Sequence, residues 1–294
     1  VKKVADSIRR VGLIANPEKP RSAAVIRRAA RILRGLGRKV ECDPSTAELV
    51  GGGIPVASGL EALVDNNDLL LVFGGDGTML RVAREIAGRN VPILGVNAGN
   101  LGFLTAVQAP ELSKALKKVV SGRFEIETRA LLEASVQIGA ERSVQTALND
   151  FVLSRGLTSR LIELEVFVNG ELLTRYRCDG LIASSPTGST AYSLAAGGAI
   201  VSPDADVLTL TPICPHTLSI RPVVMNLNSV VGVKLLSKRL VATLAADGQQ
   251  QTELAAGDMV TIRRSRHSVR LLRPEGSTFF STLRQKFAWN GGNL

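Results

Sequence analysis

Cysteine is scarce: three in 294 residues, Cys42, Cys178 and Cys214, with no pair at CxxC spacing. An odd, scattered set does not build a disulfide framework and fits a reducing compartment. Histidine is scarcer still. His216 and His267 lie far apart and no cysteine stands at zinc-ligand spacing, which argues against a transition-metal site. Neither histidine stands near a nucleophile-elbow sequence, so a Ser-His-Asp hydrolase is not indicated. Aromatics make up 4% of the chain, too few for the stacking platforms of single-strand nucleic-acid binders. No apolar run approaches the ~18 residues a membrane span needs. The opening VKKVADSIRR has charge but no apolar core behind it, unlike a secretory signal. Two nucleotide fingerprints are missing as well, GxxxxGK[ST] and GxGxxG. The expectation from these absences is a cytoplasmic protein with neither a membrane nor a nucleic acid as partner.

What the chain has in excess is positive charge. The net charge is +10, with 26 arginines and 10 lysines. A polyanionic ligand and a merely basic surface both account for it, and composition does not choose between them.

The first ~120 residues alternate strand and helix signals, the rhythm of α/β units. Val11 to Ala15 reads as a short strand. From Arg21 to Leu36, Val25, Ala29, Ile32 and Leu36 recur at helical spacing, with Gly37 as the stop. Leu69 to Phe73 is a continuous apolar run suited to a strand covered on both faces. Thr78 to Ala87 reads as a helix, Val91 to Val96 as another buried strand, and Pro110 to Val120 as a helix closed by Gly122. This predicts an open, mostly parallel sheet.

After Arg123 the rhythm changes to short alternating segments: Leu131–Gln137, Val144–Leu153, Leu161–Val168, Glu171–Arg177, Val207–Thr211, Val223–Leu227, Val230–Leu236, Val241–Ala245, Met259–Arg263 and Val269–Arg273. Asn169-Gly170 is a strong hairpin signal, since both residues tolerate positive φ. The series predicts an all-β sandwich. One helix signal, Thr190 to Ala196, interrupts it. The last segment, Ser277 to Trp289, is apolar and aromatic and is expected to pack.

Four features carry chemistry. In Leu71-Val72-Phe73-Gly74-Gly75-Asp76-Gly77-Thr78, a buried strand ends in a glycine turn that opens a helix. Ligands bind at the carboxyl ends of strands in open α/β sheets, and glycines with a helix N-terminus accept a phosphate closely. Asp76 would repel a phosphate, so it points to a hydroxyl or a magnesium ion. The alternative reading is a tight strand–helix turn with Asp76 as a helix N-cap. Asn97 to Thr105 is a second glycine-punctuated loop after a buried strand. Leu148-Asn149-Asp150 offers an amide and a carboxylate that can read ribose hydroxyls or a base edge, though such a pair also makes ordinary turns. Finally Asp179 to Ser193, DGLIASSPTGSTAYS, leads a strand through small hydroxyl and glycine residues into a helix, with Tyr192 able to flank a base.

Taken together, GGDGTML, NAGNLGFLT, the Asn-Asp pair, DGLIASSPTGSTAYSLAAGGAIVSP, TPICPHTLSIRPVV and DGQ resemble the NAD kinase family, in that family's order from Gly74 to Gln249. The ending FFSTLRQKFAW resembles the family's tail. GGDGT alone also occurs in phosphofructokinases and lipid kinases; the long run from Asp179 makes the match specific. Two departures stand out: Gly197-Gly198-Ala199-Ile200 where the family usually reads GGPI, and Asp150 where many members carry glutamate.

The resemblance implies a phosphofructokinase-like α/β domain over 1–123, a β-sandwich dinucleotide domain over 124–276, and a tail, 277–294, packing back on the α/β domain. In the family the active site lies in the crevice between the domains. It implies transfer of a phosphoryl group to the 2′-hydroxyl of the adenosine ribose of NAD, giving NADP, from ATP or another donor such as polyphosphate. Asp76 would accept the proton. Gly74, Gly75, Gly77, Arg81, Asn149, Asp150, Arg160, Arg177, Asp179, Thr190, Ala191, Tyr192, Ser193, Leu194, Ala195 and Gln249 would contact the nucleotides. No protein metal site is implied; magnesium would travel with the triphosphate. Family members are usually homodimers or homotetramers, and a neighbouring subunit can supply some of these residues. The competing readings are a sphingoid or diacylglycerol lipid kinase sharing GGDG, which leaves Asn149-Asp150 and the PTGSTAY loop unexplained, and a nucleic-acid binder, suggested only by charge.

Overall fold

Three apolar runs early in the chain pair side by side. β1 (Arg10–Ala15), β3 (Leu69–Phe73) and β4 (Ile93–Asn97) are wholly buried apart from Arg10. Strands covered on both faces have no polar side to alternate with. β2 (Lys39–Cys42) lies outside β1, and β5 (Val107–Gln108) pairs with β4; every one of these pairings is parallel. The structure is a computed structural model, and it describes residues 8–19, 22–97, 99, 102–138, 141–156, 160–238 and 240–289. Residues 1–7, Arg21, Ala98, Asn100, Leu101 and the last five residues of the expected tail lie outside that set.

Helices connect these strands: α1 (Ser22–Gly35), α2 (Pro44–Val50), α3 (Leu60–Asn66), α4 (Asp76–Glu85) and α5 (Leu112–Val120). α1 buries Ile26, Ala29, Ala30 and Leu33 along one stripe, in the cluster that also holds Leu13, Leu71 and Val96. Burying each of the large side chains contributes roughly 1.5–3 kcal/mol. Sequence periodicity missed α2 and α3 because each is only seven residues long, too short for a helical stripe to repeat.

Contacts divide the chain into two units, residues 1–128 with 269–294, and residues 129–268. The division falls inside the long strands β6 (Phe124–Ile138) and β17 (Met259–Pro274), so the chain's last part is counted with its first. The alternation of β17 is lost through Arg264-Ser265-Arg266-His267-Ser268, which is why the sequence read two strands there. The backbone nonetheless continues as one. Its end joins the parallel sheet, with Leu271 opposite Ile93.

The second unit is antiparallel. β9 (Ile162–Val168), β10 (Glu171–Cys178), β14 (Val231–Leu235) and the first part of β17 follow in the order β10-β9-β14-β17, and β6 pairs with β17 and with β7 (Glu141–Ala147). A separate six-stranded sheet runs β13 (Val223–Asn226), β12 (Val207–Ile213), β11 (Gly180–Ser184), β8 (Asp150–Ser154), β15 (Ala242–Ala246), β16 (Gln250–Leu254). Leu164, Val166, Val231 and Ile262 of the first sheet and Phe151, Leu181, Leu210 and Leu244 of the second share one buried cluster. This is a sandwich core. The fold is therefore an α/β unit with a mostly parallel sheet plus a β sandwich. Asn169 and Gly170 turn the β9–β10 hairpin at φ 54° and 86°, and Asp247 and Gly248 turn β15 into β16 at φ 50° and 66°. Only the first had been read as a hairpin. The expected strand Val144–Leu153 is two strands, interrupted at Leu148-Asn149.

Candidate active site

In the first unit the glycine turn stands where β3 ends. Gly74 donates to the Val96 carbonyl at 3.0 Å, and the Thr78 side chain occupies the space a Gly74 side chain would need. The N-cap position of α4 belongs to Gly75, and Asp76 is the first helical residue. The N-cap reading of Asp76 is thereby set aside. Its carboxylate reaches instead to the second glycine loop. Oδ2 accepts from the Phe103 N–H at 2.8 Å and Oδ1 from the Leu104 N–H at 3.1 Å. A Cβ on Gly102 would overlap that carboxylate, so any other residue there would have to displace it. Thr105 Oγ1 accepts from the Gly102 N–H and from the Asn97 side chain, and Asn97 Oδ1 accepts from the Gly99 N–H. A carboxylate offers about four acceptor positions, and the described residues fill two of them on Asp76.

Arg81 is one turn along α4 and pairs with Glu85 at 3.0 Å, both about two-fifths exposed. Lys19, which nothing in the sequence singled out, brings its ammonium within 3.6 Å of where a Gly75 Cβ would sit. It adds a cation at the turn, but it stands too far from any motif to be noticed in the sequence.

In the second unit strand pairing joins motifs that are remote in sequence. β8 and β11 run antiparallel with Asp150 opposite Ser184, which brings Leu148-Asn149 against the serines after β11. Ser185 N–H donates to the Asn149 carbonyl at 2.8 Å, and Ser185 Oγ donates to the Leu148 carbonyl at 2.6 Å. Gly188 packs against the Asn149 carbonyl so closely that a Cβ would collide with it. On the other side of β8, Asp247 directly follows β15. Its carboxylate accepts from the N–H groups of Leu148, Asn149 and Asp150 at 3.1, 2.7 and 3.4 Å. Sequence reasoning had Asp247 only as the first letter of DGQ. An Asp-Gly hairpin was the available signal, but it does not say that the side chain turns back onto a neighbouring strand.

Asp150 is 4% exposed. Burial, and then the adjacent Asp247 carboxylate, push its pKa up from 3.8 to about 7. Thr187 to Thr190 form one turn of 3-10 helix, followed by the short α6 (Tyr192–Ala195). Ser189 bridges the Pro186 carbonyl and Val201, and Ser193 Oγ meets Thr211 Oγ1 at 2.9 Å. Buried Arg129, not anticipated from the sequence, donates to Thr187 Oγ1 at 3.3 Å. Thr190, Ala191 and Leu194 are half-buried, while Tyr192 and Ala195 are exposed. Gln249 is exposed on the Asp247-Gly248 turn, its N–H on the Ala246 carbonyl.

Three predicted residues are not part of that cluster. Asp179 precedes β11 and so lies at the strand's other end, roughly 16 Å from Ser184 at ~3.3 Å per residue. It pairs there with Arg155 at 2.8 Å. Arg177 is exposed on β10, opposite Glu163. Arg160 is exposed just before β9. In one copy of the chain, Arg160, Arg177 and Asp179 belong to a different end of the unit from Asn149 and Asp150. Among the described residues there is no group of three or more His, Cys, Asp or Glu placed to hold a metal ion, and no helix is long and apolar enough to cross a membrane.

The ATP-NAD kinase N-terminal domain family matches residues 11–124, and the ATP-NAD kinase C-terminal domain family matches residues 148–274. The NAD kinase of Moorella thermoacetica is 43% identical, covering 97% of this chain and 91% of its own. That of Syntrophotalea carbinolica is 40% identical, over 96% and 99%. Among solved structures, a yeast NADH kinase complexed with NADH is 29% identical, with a TM-score of 0.88 over 98% of this chain and 89% of its own. An NAD kinase from Archaeoglobus fulgidus in complex with ATP is 27% identical, with a TM-score of 0.75 over 96% and 100%. With both domain families matched and relatives at about 40% identity along nearly its whole length, the chain belongs to the NAD kinase family.

Proposed function

We propose that this NAD kinase, a phosphotransferase acting on NAD, transfers the γ-phosphoryl group of ATP to the 2′-hydroxyl of the adenosine ribose, giving NADP. The observation that carries the residue-level reading is the disposition of Asp76. It is a carboxylate at the carboxyl end of a buried parallel strand, oriented by two backbone N–H groups, with acceptor capacity to spare. The 2′-oxygen bonds to phosphorus, the bond from phosphorus to the ADP oxygen breaks, and the hydroxyl proton passes to Asp76. Phosphoryl transfer asks the protein chiefly for alignment and charge neutralisation. Gly74, Gly75 and Gly77 give phosphates close approach, and Lys19 and Arg81 add positive charge. A divalent cation, magnesium, would enter on the triphosphate's own oxygens.

Asn149, Asp150, Thr190 through Ala195 and Gln249 would hold the dinucleotide, with Asp247 fixing the Asn149-Asp150 backbone. With a pKa of about 7, Asp150 can present either a donor or an acceptor to a ribose hydroxyl or base edge. Arg160, Arg177 and Asp179 sit at the far end of their unit, which favours a homodimer or homotetramer in which they serve a neighbour's site; sedimentation of the purified protein tests the assembly. The chain's three scattered cysteines favour a reducing compartment, and the cytoplasm is the proposed location. The lipid-kinase alternative finds no support among the relatives. The deciding assay offers NAD, magnesium and either ATP or polyphosphate, and follows NADP with an NADP-specific dehydrogenase. Absence of NADP from both donors would overturn the proposal. A parallel arm with NADH measures the redox preference.

A further inference from the structure

The chain has eleven aromatic residues, and five of them gather at one place. Four belong to α7 (Phe279–Phe287) and the residues just after it: Phe279, Phe280, Phe287 and Trp289. The fifth is Phe103, from the glycine loop. Its ring centroid lies 6.3 Å from that of Phe279 and 6.1 Å from that of Phe287. These are separations at which ring pairs attract beyond their buried area. The Lys286 ammonium stands 5.5 Å from the Phe103 centroid, within range of a cation–π contact. The helix is itself well anchored. Thr278 and Ser281 close a reciprocal capping box, and Thr282 and Leu283 are buried.

Phe103 is also held through its backbone. Its carbonyl accepts from Arg273 Nη2 at 3.3 Å, and Arg273, only 4% exposed, donates through Nε to Glu127 at 2.8 Å. Its N–H is the 2.8 Å donor to Asp76. The neighbouring Gly102 brings the loop so close to the carboxylate that a Cβ there would meet it, so a movement of Phe103 acts directly on the group its N–H holds.

We infer that α7 is a positioning element for Asp76: Phe279 and Phe287 clamp the ring of Phe103, and the Phe103 and Leu104 N–H groups then hold the carboxylate in its reacting orientation. This rests on Asp76 being the proton acceptor. Phe279 and Phe287 meet the Phe103 ring, and the effect reaches Asp76 through the Phe103 N–H. A displacement of about 1 Å at a reacting group can cost about 100-fold in rate, so loosening the clamp acts on turnover.

The test uses the full chain with Phe279→Ala and Phe287→Ala combined. It reads kcat, KM for NAD and hydrogen exchange across residues 102–105, and repeats the kinetics in an Asp76→Asn background. The expected results are a fall in kcat of about tenfold or more with KM for NAD within about twofold, faster exchange at Phe103 and Leu104, and less than about twofold change in the residual turnover of Asp76→Asn. Restoring the rings as tyrosines should restore kcat. Unchanged exchange, or an equal proportional loss in both backgrounds, would overturn the inference. Should Asp76→Asn itself retain near-normal turnover, the base assignment fails separately and the exchange result alone decides the clamp. If the double variant does not fold, Phe287→Leu, at an exposed position, gives the same comparison with a smaller expected change.

Discussion

Asp150→Asn should stabilise the ligand-free protein at alkaline pH and make little difference at acid pH. The side chain is 4% exposed and faces Asp247, and its pKa rises from 3.8 to about 7 through burial and that neighbour. The folded state therefore keeps a proton that the unfolded chain has already released. Between pH 4 and pH 7 the native state binds more protons than the unfolded state, so stability falls as pH rises through this window and levels off above it. At 1.36 kcal/mol per unit, the full effect is about 4 kcal/mol, with about 1 kcal/mol falling between pH 8 and pH 6 and about 3 kcal/mol between pH 8 and pH 5. Asparagine resembles the protonated acid in shape and carries no charge, so it removes the pH-dependent term and leaves the packing. Thermal melting of both proteins from pH 5 to pH 8.5 makes the comparison, at roughly 2–4 °C for each kcal/mol in a protein of this size. The wild type should melt several degrees below the variant at pH 8 and converge on it toward pH 5. A difference that stays flat, or widens on acidification, would show that Asp150 carries no raised pKa and that Asp247 serves only as an acceptor for backbone N–H groups.

Asp76→Asn keeps shape and much of the hydrogen bonding but removes the proton acceptor. Turnover should fall on the order of 10²–10⁴-fold with NAD binding much less affected, as titration calorimetry can check; near-normal turnover in a folded variant would refute the base assignment. Gly102→Ala forces a Cβ into the Asp76 carboxylate. Its kcat should drop by at least about tenfold while the melting temperature moves little, and equal activity would mean the loop yields. Arg177 is exposed on β10 and places a fixed positive charge that is expected to favour NAD over NADH. Arg177→Gly should narrow whatever ratio of kcat/KM the wild type shows, and an unchanged ratio would remove Arg177 from that role.

How far the sequence reached depended on whether a feature was local. Leu69–Phe73 and Val91–Val96 read as buried strands because an uninterrupted apolar run of that length has few other fates. Asn169-Gly170 read as a hairpin because few residue pairs accept two positive φ values. Lys39–Cys42 and Gln250–Leu254 were missed: one alternates over only four residues, and the other, Gln-Gln-Thr-Glu-Leu, carries almost no apolar signal and is a strand because β15 pairs with it. The single strand Met259–Pro274 was split for the same reason, its middle being polar while its backbone pairing continues.

Side-chain order alone dictated the two architectures, the order of the motifs and the chemical types available at each: glycine turns for phosphate, carboxylates for a hydroxyl, an excess of arginine for polyanions. Those follow from side-chain chemistry and from periodicities that a linear chain displays. What each group meets came from packing in three dimensions. That packing turned the Asp76 carboxylate onto the N–H groups of Phe103 and Leu104, and set Asp247, at the end of neighbouring β15, on the N–H groups of Asn149 and Asp150. It also put Asp179 at the opposite end of β11 from Ser184. Register and loop packing make these contacts. Both are settled by burial and backbone pairing between segments far apart in the chain, as with Asp150 and Asp247, 97 positions apart, and no spacing within a motif encodes them.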